Sequence, residues 1–131
     1  MGVFTQAERE FLRSQPLARI ATASVSGVPD VAAVGFEIDG DEIVTGGFDI
    51  TKTVRHRNLL ANPRATIVID DLASVDPWEP RGVKVRGSAT LEEHGRGMRI
   101  RIRPEVVWSW HLNLDADKHF LGVERRSVEP V

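Results

Sequence analysis

The chain has 131 residues, 41% of them hydrophobic and 27% charged, enough for one domain with a proper core and too few for two. Its net charge of -2 argues against general binding of nucleic acid or anionic membranes, so any cationic site has to be local. The absence of cysteine excludes disulfides, thiolate metal sites and thiol nucleophiles.

In chain order, Thr5 and Glu8 make a T-x-x-E capping box, and Ala7, Phe11 and Leu12 give the turns after it one apolar face. This predicts a helix over 6–14, stopped by Pro16. Residues 19–24 read as a strand, with a turn at Ser26-Gly27. Residues 31–38 read as one strand interrupted by Gly35, where a bulge forms or something approaches the backbone closely. Asp39-Gly40 makes a hairpin turn into a strand at 42–45. A helix is expected over 52–61, ended by Asn62-Pro63. Residues 65–69 are apolar on both faces, as a covered strand is. Residues 71–82 have the composition of a loop. Val83, Val85, Gly87, Ala89 and Leu91 alternate with polar residues, a half-buried strand. Residues 93–97 turn the chain into a last strand, 98–102, which continues through 106–110 after Pro104. No apolar run reaches membrane-spanning length, and Met1–Glu10 lacks a signal-peptide core. With no cysteine, the expected setting is cytoplasmic. Six strands and one mid-chain helix, mostly hairpin-connected, spell a small antiparallel barrel.

The stretch GFDITKTVRHRN (47–58) carries Lys52, Arg55 and Arg57 where that helix begins. The plain reading is a solvated helix face. Cations there oppose the helix dipole, however, unless an anion offsets them. The hydroxyls of Thr51 and Thr53 and the free N–H groups of a helix start suit a phosphate. A predicted helix from 52 puts Lys52 and Arg55 on one face and Arg57 elsewhere. The sequence has no G-x-x-x-x-G-K-[ST] loop. His56, His94, His111 and His119 show no ligand spacing, so neither a metal site nor a catalytic histidine is expected.

Residues Gly46–Gly87, preceded by PDVAAVGF and followed by IRIRPEVVWSW, resemble the split β-barrel flavin and deazaflavin oxidoreductases. These are the pyridoxamine-phosphate-oxidase-like proteins; within them, the chain resembles the actinobacterial branch assigned to coenzyme F420. The resemblance covers about residues 3–112. It implies a mainly β, six-stranded antiparallel split barrel with a short N-terminal helix and a central helix, occupying 1–112. Residues 113–131 are then an extension, read as an arm that completes a dimer. It also implies a homodimer with pockets at the subunit interface, binding F420 by preference or FMN. The phosphate clamp is carried over to Thr45, Lys52, Thr53 and Arg55, and the ring to the wall at Val34, Gly35 and Phe36. Asn58 matches a residue that ties the helix to neighbouring backbone. The implied activity is hydride transfer between the reduced cofactor and a small unsaturated substrate, with the cofactor supplying the chemistry.

Trp78, in D-P-W-E-P, either pins its loop to the barrel or walls the pocket. Trp108 and Trp110 share a strand face, at the core or the dimer interface. Arg99, Arg101 and Arg103 read as a wet strand face, and Arg81 as a reach toward an anionic substrate. The chain departs from its resemblance in two places. The turn at 92–97 is shorter than the segment relatives insert there, and the tail from Asn113 matches nothing familiar. The arginine-rich C-terminal signature of true pyridoxamine phosphate oxidases is also missing, which argues against vitamin B6 as substrate. Two other readings are a non-catalytic cofactor binder and a nucleic-acid-binding barrel. The second lacks stacking platforms, since the chain has no tyrosine and only Phe48 lies near the cations.

Overall fold

The computed structural model describes residues 2–47, 49–112 and 123–128. The capping box forms as predicted: the Glu8 N–H donates to Thr5 Oγ1 at 3.1 Å, and the Thr5 N–H donates to Glu8 Oε1 at 2.9 Å. It starts helix α1 (Gln6–Arg13), whose Phe11 and Leu12 enter the core. Eight strands follow among the described residues: β1 (Ala18–Ala23), β2 (Pro29–Val34), β3 (Phe36–Asp39), β4 (Glu42–Thr45), β5 (Arg64–Leu72), β6 (Pro80–His94), β7 (Gly97–Trp110) and β8 (Val123–Ser127). Helix α2 (Val54–Ala61) sits between β4 and β5.

All the pairings are antiparallel, in the order β2-β1-β5-β6-β7-β4-β3, with β8 on β7. The two ends of this order, β2 and β3, are separated in the chain by Gly35 alone. The sheet therefore curls until its edges meet there, which closes a barrel. Ile20, Ile67, Ile69, Val83, Val85, Ile100, Ile102 and Val107 fill it, each fully buried. Each contributes about 1.5–3 kcal/mol over an exposed position.

The count of eight rather than six strands has two sources. Gly35 divides the expected strand 31–38 into β2 and β3, and the tail contributes β8. The expected loop 71–82 shrinks to 73–79. Asp71 and Arg81 are register partners, and the Arg81 Nε and Nη2 donate to Asp71 at 2.9 and 2.6 Å. That bidentate pair carries the ladder through residues whose composition reads as loop. The salt bridge also holds Arg81, expected to face an anionic substrate, on the sheet. β7 runs unbroken through Pro104 because the strand bulges there: Arg86 pairs with Val106 and Gly87 with Pro104, so Glu105 is the extra residue and the proline's missing N–H is tolerated. A Cβ on Gly87 would lie 1.9 Å from the Arg103 carbonyl oxygen, so the bulge requires glycine. The bulge also changes the alternation, so Ile100 and Ile102 point inward before it and Val107 and Ser109 after it. Trp108 and Trp110 consequently share the outer face.

One edge of β7 serves two strands in turn. Ile100–Ile102 pair with Ile43–Thr45 of β4, and Val106–Trp110 with β8. Of the expected extension, 113–122 and 129–131 lie outside the described residues, while 123–127 extend the barrel's own sheet. Arg126 of β8 reaches α1, donating to both carboxylate oxygens of Glu8 and to the Val3 carbonyl oxygen. Glu8 is 1% exposed. Burial pushes its carboxyl up, but bonds from Arg126, Ser109 and Thr5 outweigh that and hold it below the usual carboxylate range. Among the described residues, no helix is long and apolar enough to cross a membrane.

Candidate functional site

The closure point of the barrel is also the wall of its main cleft, a depression of about 920 Å³. One wall is the 33–37 segment around Gly35, the floor is Val44 to Gly47 with Arg55, and the facing wall is the tip of the β6–β7 hairpin. Thr45, 2% exposed, donates its hydroxyl to the Gly35 carbonyl oxygen at 2.6 Å and pins the junction of β2 and β3. A Cβ built on Gly35 or Gly46 meets nothing within 4 Å, so backbone faces open space at both positions. A flat group can lie against it there.

Arg55 is the charged centre of the floor. It is the second residue of α2, and its guanidinium passes so close to Gly47 that a Cβ there would sit 2.7 Å from Nη2. Its Nε is buried and has no partner among the described residues, and its Nη2 reaches the Gly46 carbonyl oxygen only at 3.5 Å. Burial lowers its pKa, with Asp30 opposing from a distance, but an arginine stays charged through such a shift. A buried donor left over on a partly shielded cation is costly unless an anion completes it.

The structure brings Val34, Gly35, Phe36, Thr45 and Arg55 to this one cleft. Lys52, Thr53 and Trp78 do not line it. Residues Ile50–Lys52 form a 3-10 turn, and α2 begins at Val54, two residues later than the sequence suggests. Lys52 therefore precedes the helix, shares no face with Arg55, and points outward with 84% of its side chain exposed, 3.6 Å from Asp49. Thr53 is the N-cap: its hydroxyl donates to the Ile50 carbonyl oxygen at 2.5 Å and accepts from the His56 N–H at 3.2 Å. Trp78 is 68% exposed. Asn58 is buried, and its Nδ2 donates to Thr22 Oγ1 at 3.0 Å, tying α2 to β1 through a side chain rather than backbone.

Sequence reasoning passed over the facing wall: His94, Arg96, Gly97, Met98 and Arg99. Continuing the β4–β7 register beyond Thr45↔Ile100 carries this hairpin past the end of β4. Its turn is two residues long, with Gly95 at φ 59. The spacing of the strands carries no signal for this overhang.

The arginines expected on a wet face are instead held in a network. Arg101 bonds Asp39, Glu42 and Glu92 at 2.9–3.1 Å, Arg99 reaches Glu92 at 2.5 Å, and Arg103 reaches Glu42 at 3.0 Å. Those bonds, from Arg101 first and then Arg99, lower the Glu92 pKa to about 2. Elsewhere on the outer face, Lys84, Arg86 and Arg125 surround the Trp108 ring at 4.2, 5.1 and 5.7 Å. Among the described residues no group of three or more His, Asp or Glu could hold a metal ion.

Comparison with known proteins agrees with this architecture. The chain is 34% identical over 135 residues to a 5a,11a-dehydrotetracycline/5a,11a-dehydrooxytetracycline reductase of Streptomyces rimosus, spanning 95% of this chain and 93% of the relative. Among solved structures, a conserved hypothetical protein of Mycobacterium tuberculosis superposes with a TM-score of 0.71 at 21% identity, over 90% of this chain and 91% of that one. A heme binding protein of Mycobacterium smegmatis gives 0.70 at 18% identity, over 95% of this chain and 59% of that one. Both share the fold. Residues 4–119 match the pyridoxamine 5'-phosphate oxidase family, and the chain belongs to it, built as the split β-barrel of its relatives.

Proposed function

We propose that the chain is an oxidoreductase that holds a phosphate-bearing redox tricycle on Arg55 and passes a hydride between it and a small, planar unsaturated molecule. The family and the reductase relative support an oxidoreductase. F420 is the preferred cofactor and FMN the alternative. The observation that carries this reading is Arg55, a partly buried cation whose Nε has no partner among the described residues, at the floor of a cleft walled by bare glycine backbone. An orphaned buried donor and an open backbone wall fit a phosphate joined to a flat ring.

Arg55 would take the phosphate. Val34, Gly35 and Phe36 form the wall for the ring, and Thr45 keeps the Gly35 carbonyl turned away from it. The hairpin tip, with His94 and Met98, forms the facing side. When bound, the tricycle supplies the hydride chemistry; the protein's part is to orient it and its substrate. By analogy with the dehydrotetracycline reductase, the substrate is a conjugated polycycle with a reducible C=C bond.

The same reading carries a homodimer with the pocket at its interface. Val31 and Leu60, 66% and 68% exposed, are apolar surface for a second copy to cover, and sedimentation velocity tests this. Side-by-side titration of the purified protein with F420 and FMN tests the cofactor. Stopped-flow mixing of the reduced complex with a dehydrotetracycline tests the reaction, cofactor oxidation being the expected result. Tight binding without oxidation by any conjugated acceptor would make the chain a storage or sensor protein instead.

A further inference from the structure

Saturating a C=C bond conjugated to a carbonyl consumes a proton as well as a hydride, and the hydride chemistry of a bound tricycle leaves the proton to be found elsewhere. The polar side chains among the described residues of the cleft are Glu37 from β3, Thr45 from β4, Arg55 from α2, and His94, Arg96 and Arg99 from the β6–β7 hairpin. An arginine keeps its protons at any physiological pH. The Thr45 hydroxyl is buried and already donates to the Gly35 carbonyl oxygen. Glu37 is an exposed carboxylate on the ring's own wall, and a carboxylate accepts hydrogen bonds rather than giving protons. His94 remains, and imidazole is the side chain that gives and regains a proton near neutrality. Strand alternation turns it toward the cleft. Glu92 and His94 share one face of β6, and Glu92 holds Arg99, which also lines the cleft. Glu93, between them, faces a separate depression on the other side of the hairpin. His94 is exposed, and among the described residues its imidazole has no hydrogen bond, ion pair or ring contact.

We propose that His94 is the acid that completes the reduction, delivering a proton to the substrate from the hairpin side of the cleft. This rests on the redox reading above and deepens it. With the ring against the Gly35 wall, the acceptor occupies the ring's open side, which is the side His94 faces. The hydride adds to the far carbon of the C=C–C=O unit, and the π electrons move onto the carbonyl oxygen as an enolate. An imidazolium N–H bond of His94 then breaks, and its proton passes to the enolate. The substrate has gained two hydrogens, the two electrons come from the reduced tricycle, and the neutral imidazole regains its proton from water, to which it is open. Arg96 and Arg99, on the same hairpin, suit an oxygen on which negative charge builds. Sequence spacing singles out no histidine, because this role needs no partner residue, only a place opposite the ring's wall.

The test is single-turnover formation of reduced product from a dehydrotetracycline. Wild type, His94→Gln and His94→Ala are each loaded with whichever of F420 and FMN the protein binds, in reduced form, and compared from about pH 5 to about 8. His94→Gln should slow product formation about a hundredfold near neutrality, the low end for a lost general acid because water reaches an exposed site. The wild-type rate should fall as pH rises and the imidazolium is lost, and both variants should be flat. Added imidazole should restore His94→Ala, whose side-chain space is vacated, and not His94→Gln. Cofactor affinity should be the same in all three. A second readout needs no turnover: the ring-nitrogen NMR signals of His94, assigned by their loss in His94→Gln, should shift when tetracycline, the reduced product, is added to the protein carrying oxidised cofactor. An unchanged rate and pH profile in His94→Gln, a loss that imidazole does not rescue in His94→Ala, or ring signals indifferent to tetracycline would each overturn the proton donor and leave the redox site standing. A wild type that binds neither cofactor, or reduces no conjugated acceptor, would overturn both.

Discussion

Arg101 and Arg55 are both partly shielded arginines, and they differ in their supply of acid. Arg101, with 20% of its side chain exposed, is ringed by Asp39, Glu42 and Glu92. Arg55 has a buried Nε with no partner among the described residues and one long contact to a carbonyl oxygen. The chain thus has carboxylates to satisfy an arginine where the arginine is structural. Withholding them from Arg55 costs stability, and that cost is tolerable where a ligand's anion completes the site. Arg126 extends the structural side of the contrast inward, since its partner Glu8 is 1% exposed.

The sharpest way to test the contrast is to remove Arg126. Arg126→Ala strands a buried carboxylate, and urea unfolding should show a loss of about 3 kcal/mol, the low end for a broken buried pair because Arg126 is itself partly exposed. Cofactor affinity should not change. Arg55→Ala should do the reverse. It should weaken FMN or F420 by about 2 kcal/mol in calorimetric titration, as for a hydrogen bond to a charged partner, and leave the melting temperature unchanged or slightly higher. A large loss of stability in Arg55→Ala with unaltered binding would erase the distinction.

Arg101→Ala should cost less than either, because a partly exposed network is screened by solvent. Its effect has a defined pH window. The Glu92 carboxyl is lowered from 4.5 to about 2 in the folded protein. Its stabilisation is therefore complete above pH 4.5 and lost as pH falls through about 2. Melting curves of wild type and Arg101→Ala should differ most above pH 4.5 and converge toward pH 2. The smallest effect belongs to Lys52→Ala, which should change FMN affinity by less than about 0.5 kcal/mol, since the ammonium is solvated and points away from the cleft. Equal losses at Lys52 and Arg55 would restore the two-cation clamp that the sequence suggests.

Local chemistry was readable in the chain. The capping box of Thr5 and Glu8, the break at Gly35, the hairpin at Asp39-Gly40 and the alternation of 83–91 are signals carried within a few residues, and they appear where expected. Gly35 and Arg55 stood out on local chemistry, whereas Thr45 was carried over from the family resemblance; all three line the cleft. The start of α2 was not, because Thr51 and Thr53 both offer a capping hydroxyl and only that of Thr53 takes the cap, Thr51 bonding Asp49 instead. The extended β5–β6 ladder was hidden as well, since Asp71 and Arg81 read as loop residues until they face each other.

The sequence alone determined a β-rich domain, its turn points and the presence of a cationic segment in mid-chain, because backbone preferences and hydrophobic period are short-range properties. Tertiary structure decided which cation is deprived of partners, which face of β7 carries the tryptophans, and that the β6–β7 hairpin overhangs Gly47. Those outcomes depend on register between strands distant in the chain and on a bulge at Glu105, opposite Gly87, that reverses the alternation partway along β7. Long-range pairing sets which charges meet an acid and which are left facing the cleft.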